Sequence, residues 1–243
     1  MYSKIPMPQV EWTEKNMRYA ICFFPLVGAV ISLLEYLLLR YYPLFFTSGL
    51  LRASLILFIP LAVTGGIHLD GFMDTNDALC SYADRARRLE ILKDPHIGAF
   101  SAIHLAMYVI LFLGFSSIID GSESSAWCLI FILSRILSGL SVVSFPCAKK
   151  EGSLYAFAKD ADRIRACVIF LAEGAACVAF LVMLAPVEAL SCTGTALVLF
   201  WIYHVLAVRK FGGITGDVAG WFLCNAELWM TIAFTVAHRI VQG

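Results

Sequence analysis

Long apolar runs alternate with short polar ones along nearly the whole chain. The runs Tyr19–Leu39, Ala53–Ile67, Ala102–Ile119, Ala126–Phe145, Ala166–Ala185, Leu190–Val208 and Val218–Ala237 read as membrane helices, since a span takes roughly 17–25 predominantly apolar residues. Ala53–Ile67 is short and holds Pro60, so it reads as a kinked or partly immersed helix, or as one that extends back to Leu44 and encloses Arg52. Met1–Met17, with Pro6, Pro8 and Trp12, is a polar, interfacial lead-in. The pattern predicts an all-α, polytopic integral membrane bundle of about seven transmembrane helices, a single membrane domain over residues 1–243.

Composition agrees. The chain is 60% hydrophobic and 15% charged, with a mean hydropathy of +0.81, against about 45–50% and about 25% in soluble domains. Nothing in this length leaves room for a large soluble domain. The first apolar run is as long as a span and lacks a small-residue cleavage site, so no cleavable leader is expected. The eight cysteines include no CxxC pair and fall mostly inside apolar segments; they read as small buried hydrophobes rather than a disulfide framework or zinc site.

Lys+Arg and Asp+Glu are equal at 18 each, so net charge is silent about partners, and no nucleic acid is expected. Placement says more. With the N-terminus inside, 14 Lys and Arg fall on inner segments against three (Arg40, Arg52, Arg239) on outer ones. By the positive-inside rule this orients the chain with N-terminus and polar chemistry on the cytoplasmic side of the membrane. The outer connections Asp120–Ser125 and Pro186–Ala189 are short, and no internal repeat is present.

Scarce charge is gathered in residues 64–101. Asp70, Asp74 and Asp77 stand at i, i+4 and i+7, so on a helix their carboxylates share one face. Three like charges there call for cations or donors between them, and hard oxygen ligands suit Mg²⁺, with Mn²⁺ as the alternative. His68 just before them is a candidate ligand, general base or phosphate donor. Lys93-Asp94-Pro95-His96-Ile97-Gly98 follows, preceded by Arg85, Arg87 and Arg88, which read equally as topology markers or substrate contacts. Acids for a metal followed by bases for phosphate oxygens is the arrangement phosphoryl transfer requires. Gly212-Gly213-Ile214-Thr215-Gly216-Asp217 enters the last run with a Gly-rich turn whose backbone N–H groups are expected to face an anion. Phe145-Pro146-Cys147-Ala148-Lys149-Lys150-Glu151-Gly152 offers two lysines to phosphate or to the membrane face. Within the spans, Arg135 is expected to pair with Glu173 or Glu227.

His68-Leu69-Asp70-Gly71-x-x-Asp74-Thr75-x-Asp77, Lys93-Asp94-x-x-Ile97-Gly98 and Gly212-Gly213-x-Thr215-Gly216-Asp217-x-x-Gly220 together resemble the cobalamin synthase family of adenosylcobinamide-GDP ribazoletransferases. So do Phe145-Pro146 with Lys150-Glu151-Gly152, and Phe24-Pro25-Leu26-Val27-Gly28, in the same order over nearly the whole chain. Ala78 and Ser101 stand where the family commonly has Gly, and Trp221 where a small residue is common. The resemblance implies a Mg²⁺-dependent inner-membrane enzyme of late vitamin B12 synthesis. It would join adenosylcobinamide-GDP to α-ribazole, or its 5′-phosphate, and release GMP; a homo-oligomer is left open.

On that resemblance Asp70, Asp74, Asp77 and Asp217 are expected to hold the metal. These four, with Asp94 and His68, would carry catalysis. Lys93, Gly98, Lys149, Lys150, Gly213, Thr215 and Gly216 would hold substrate. Two rivals are weaker. A CDP-alcohol phosphotransferase would need a DGxxAR run that Asp70-Gly71-Phe72-Met73 does not continue into. A transporter would place its ion sites at the midplane between repeated halves.

Overall fold

The computed structural model describes residues 17–120 and 124–242. The polar lead-in up to Asn16, and residues 121–123, lie outside the described residues. Among those described, the regular structure is helical apart from one isolated bridge between Cys147 and Ile214. The helices are α1 (Phe24–Tyr41), α2 (Gly49–Thr64), α3 (Ile67–Cys80), α4 (Arg85–Ile91), α5 (Ala99–Ser116), α6 (Leu129–Ser144), α7 (Ser153–Asp160), α8 (Arg163–Leu184), α9 (Pro186–Leu206) and α10 (Gly216–Gln242). A 3₁₀ turn, Ala20–Phe23, leads into α1, and a π turn, Ala207–Phe211, closes α9.

Five stretches are long and apolar enough to cross a membrane: Ala20–Leu44, Ala99–Ser116, Ser125–Ser144, Arg163–Leu184 and Pro186–Phe211. The bent pair α2 and α3 makes a sixth if it is one broken span. The chain is thus a multi-pass membrane protein. The expected seventh span, Val218–Ala237, lies within α10, the longest helix at 27 residues. Asn225, Glu227 and Thr231 leave it less apolar than the others, and its position explains why it tolerates them. α10 packs against α3, α5, α6 and α9, so most of its face meets protein rather than lipid. α6 is likewise almost wholly buried, whereas α5 and α8 turn Ile103, Met107, Ile110, Val168, Leu171 and Met183 outward, as lipid-facing helices do.

Between α6 and α10 the structure resolves the pairing that sequence left open. Arg135, 1% exposed, forms an ion pair with Glu227, and Ser134 donates to the same carboxylate. Glu173 stands apart, half-buried on α8.

The feature that shapes the site is the break after α2. Pro60 is accommodated inside α2, where Thr64 Oγ1 donates to its carbonyl at 2.7 Å. Gly65 and Gly66 then take φ of 69° and 80°, left-handed conformations that side chains with a Cβ rarely adopt. The chain turns by 95°. α3, with its three aspartates, is too polar to be a span by itself and leaves the axis of α2 for the end of the bundle.

Candidate functional site

Helical spacing holds across α3, so Asp70, Asp74 and Asp77 lie on neighbouring turns of one helix. Two glycines let α3 meet the start of α10. A Cβ on Gly71 would stand 2.7 Å from the Asp217 Cα, and one on Gly220 would stand 2.9 Å from the His68 carbonyl oxygen. Trp221 donates its Nε1–H to Asn76 Oδ1 at 3.2 Å and adds a polar tie between the same helices.

This approach brings carboxylates together. Burial, then the charges of Asp70, Asp217 and Asp77, push Asp74 up to about 6 from an ordinary 3.8. Burial raises Asp217 as well, opposed chiefly by the Lys149 ammonium nearby. Thr215 Oγ1 lies 3.4 Å from Asp217 Oδ2 and caps the first turn of α10, accepting from Val218 N at 3.2 Å.

Lys149 reaches Asp217 because its loop is sewn to the Gly-rich loop. Ile214 N donates to the Pro146 carbonyl at 2.8 Å, and Ala148 N to the Ile214 carbonyl at 2.9 Å. The join corrects one expectation. The amides of Gly212 and Gly213 donate to the Val208 and Ala207 carbonyls, both at 3.0 Å, and that of Ile214 to Pro146. These three N–H groups therefore serve the fold rather than an anion. Gly213 is needed because a Cβ there would run into the Pro146 carbonyl. Ile214, Thr215 and Gly216 of this loop, with Asp217, line the open site.

Two adjoining cavities follow. One of about 380 Å³ is lined by Lys93, Lys149, Glu151, Ser153, Tyr155, Thr215, Gly216 and Asp217, among others. The second, about 150 Å³, is lined by His68, Asp70 and Asp217 with Ile21, Phe24, Val142 and Leu223. Ser153, Leu154, Gly216 and Asp217 border both. Lys93 is held at the rim by Glu151 at 3.2 Å, with both side chains exposed. Burial, then the Lys93 charge, lower the Lys149 ammonium, as expected of two cations facing one space.

The α7 contribution, Ser153 to Tyr155, escaped the sequence reading. The available signal was Gly152, at φ 89°, opening an amphipathic turn directly after the lysine pair.

Other expected residues lie differently. Asp77 accepts from the amides of Gly98 and Ser101 at the start of α5. Asp94 folds onto His96, accepting from its backbone N–H at 3.0 Å and facing its Nδ1 at 2.7 Å; these bonds hold the carboxyl below its usual range, and it lines neither cavity. Lys150 is exposed and also lines neither. His68 packs edge-on to Phe24, and its Nε2 is closed off from solvent with no hydrogen-bond partner. Burial, then the Arg135 charge, lower its imidazole to about 3, so it stands neutral. Arg85, weighed as a topology marker or a substrate contact, donates its Nε–H to the Phe211 carbonyl at 2.9 Å and lies over Gly212, tying α4 to the Gly-rich loop.

For a metal, the donor chemistry fits. Asp70, Asp74 and Asp217 are hard oxygen donors close enough to repel one another, and a divalent cation would relieve that repulsion. Among the described residues, no group of three or more acidic, histidine or cysteine side chains is already gathered closely enough to enclose an ion. Small rotations of these carboxylates, or oxygens from a substrate, would complete the shell, as Mg²⁺ sites on phosphate substrates commonly require.

The sequence model of the cobalamin-5-phosphate synthase family matches residues 1–235. Adenosylcobinamide-GDP ribazoletransferase of Lachnoclostridium phytofermentans is 41% identical over 241 residues, covering 99% of this chain and 92% of that protein. The proteins of the same name from Clostridium botulinum (strain Alaska E43) and Desulfitobacterium hafniense are 33% and 34% identical. They cover 94% and 93% of this chain and 91% and 90% of their own. No solved structure matches.

Proposed function

Since the chain belongs to the cobalamin-5-phosphate synthase family, we propose that it catalyses the transfer its relatives are named for. It would move adenosylcobinamide phosphate from adenosylcobinamide-GDP to α-ribazole or α-ribazole 5′-phosphate, releasing GMP. One observation carries this reading. Carboxylates of two distant motifs, Asp70 and Asp74 on α3 and Asp217 on α10, crowd one another, and Asp217 lines a cavity of about 380 Å³ with Lys149 and Lys93 while Asp70 lines the cavity adjoining it.

In the reaction a ribose hydroxyl of the acceptor attacks the phosphorus bonded to cobinamide. The new P–O bond forms as the bond to the GMP oxygen breaks. Asp70, Asp74 and Asp217 would hold Mg²⁺, or Mn²⁺ in its place, and when bound that ion supplies charge neutralisation at the pyrophosphate oxygens. Lys93 and Lys149, which line the same cavity as Asp217, bind that anion and orient it. Glu151 yields Lys93 when substrate arrives, because a pyrophosphate oxygen competes well with an exposed carboxylate. The proton of the attacking hydroxyl passes to a carboxylate of this cluster, which opens on the cavity through Asp217, or to water. His68 is neutral and closed off at Nε2, and it serves better as packing beneath Asp70 than as a base.

Seven crossings, with α3 at the cytoplasmic face of the inner membrane, fit the alternation of helices and the inner placement of Lys and Arg. The water-soluble acceptor would then reach the site from the cytoplasm.

The test is direct. Membranes containing the protein, given adenosylcobinamide-GDP, α-ribazole and Mg²⁺, should release GMP and form the cobalamin product. Absence of GMP under every divalent metal would overturn the reading.

A further inference from the structure

We propose that Asp77 is a positioning residue rather than a metal ligand: a clasp between α3 and α5 that sets the Lys93–Gly98 loop over the site. Cation binding is left to Asp70, Asp74 and Asp217. Gly98 N donates to Asp77 Oδ2 at 2.6 Å, and Ser101 N to Asp77 Oδ1 at 2.9 Å. Both amides belong to the start of α5, where the first N–H groups have no acceptor within the helix. The residue at the N-cap of α5 is Gly98, which has no side chain to supply one. Asp77 supplies it from 21 residues away. A carboxylate there also meets the positive end of the helix dipole, and amide-to-carboxylate bonds belong to the stronger, charge-assisted class.

Two more observations say the fit is built. Ser101 Oγ donates to the Met73 carbonyl at 2.7 Å, one turn before Asp77, so α3 and α5 are fastened at successive turns. This gives the Ser101 hydroxyl a task of its own. Gly98 in turn has no room for a side chain, because a Cβ would fall on the Asp77 carboxylate. Asp77, like Asp74, borders neither cavity; what sets it apart is that both its oxygens are engaged by backbone donors of α5. What it fixes is the end of the loop whose other end carries Lys93 to the larger cavity.

The link to Lys93 rests on the transferase reading; the clasp itself does not. The test compares Asp77→Asn, Asp77→Ala, Gly98→Ala and the double variant Asp77→Ala/Gly98→Ala with Asp74→Asn, all as full chains in detergent or nanodiscs. Three readouts are taken: Mn²⁺ affinity by electron paramagnetic resonance, hydrogen exchange of residues 98–102, and steady-state GMP release. Both Asp77 variants should keep Mn²⁺ affinity within about twofold, whereas Asp74→Asn should lower it by tenfold or more. Exchange at 98–102 should quicken by roughly tenfold in Asp77→Ala, the size expected for a lost helix cap, and by less in Asp77→Asn, which keeps one acceptor. KM for adenosylcobinamide-GDP should rise more than kcat falls. Gly98→Ala should impair turnover by itself, and removing the Asp77 carboxylate should restore part of it.

The clasp is overturned if Asp77→Asn loses Mn²⁺ as Asp74→Asn does, or if exchange at 98–102 does not respond to Asp77→Ala. A parent chain that releases no GMP at all would sink the transferase reading alone, since metal binding and exchange still decide the clasp.

Discussion

Arg135 on α6 and Glu227 on α10 form an ion pair inside the bundle, with each side chain almost wholly buried. Ser134 also donates to that carboxylate, and Arg135 NH1 donates to the Phe131 carbonyl. The pair joins the most buried span to the helix that carries Asp217. It sits behind His68, near enough for its charge to act on the imidazole.

Removing one partner leaves an uncompensated charge away from water, which typically costs about 3–5 kcal/mol. Glu227→Ala should therefore lower the unfolding midpoint in detergent sharply. The double variant Arg135→Met/Glu227→Leu should recover most of the loss, because no buried charge remains. Equal instability of single and double variants would show that packing, not charge, dominates there.

At the α3–α10 contact the gap between backbones is set by the missing Cβ atoms of Gly71 and Gly220. Gly71→Ala should push α3 away from Asp217, cost about 1–3 kcal/mol as overpacking does, and cut GMP release. Gly194→Ala on α9 is the control, since nothing lies within 4 Å of the added atom; turnover there should match the parent. An active Gly71→Ala chain would mean the acids need not be so close.

Asp74→Asn keeps shape and removes charge. It should reduce transferase turnover by at least about a thousandfold, in keeping with loss of a charge that stabilises phosphoryl transfer. The variant should still insert and run as the parent on size-exclusion chromatography in detergent. Near-normal turnover would remove Asp74 from the chemistry.

The raised Asp74 also makes the protein sensitive to pH in a defined direction. Its folded-state value of about 6 exceeds the ordinary 3.8, so the folded chain binds this proton more tightly than the unfolded one. Its contribution to stability is present in full below 3.8 and lost as pH rises through about 6. A divalent cation replaces the proton above that range. Mg²⁺ should accordingly raise the thermal midpoint clearly above pH 6 and little below it, and Mn²⁺ affinity should weaken as pH falls through about 6. A metal effect independent of pH across this window would count against Asp74 as a ligand.

The spacing of Asp70, Asp74 and Asp77 made a helix legible because helical periodicity is a local property. The break falls elsewhere than the apolar pattern predicts: the run Ala53–Ile67 reads across Gly65-Gly66 with Pro60 as its kink, whereas the chain turns at the two left-handed glycines. The division of labour among those acids was not legible. Asp77 differs from Asp74 only in what α5 presents to it, and that is settled by packing between elements. The Gly-rich loop misled for a related reason: glycines suited to exposing amides to a phosphate suit equally a close backbone crossing, and Pro146 and the π turn had already taken those amides. Arg135 had two candidate partners in sequence, and only the placement of α10 beside α6 chose Glu227.

Because α3 packs against α10, the first signature motif and the last helix depend on one another across most of the chain's length. A ribosome delivers Asp70 to the membrane long before Asp217. Until Gly216 emerges, α3 is a polar helix without its partner, held by Asp77 on α5 but lacking its third carboxylate. A chain stalled or truncated before α10 should accordingly insert its earlier spans yet release no GMP. The architecture has a built-in order of assembly, in which the membrane anchor forms first and the chemistry last.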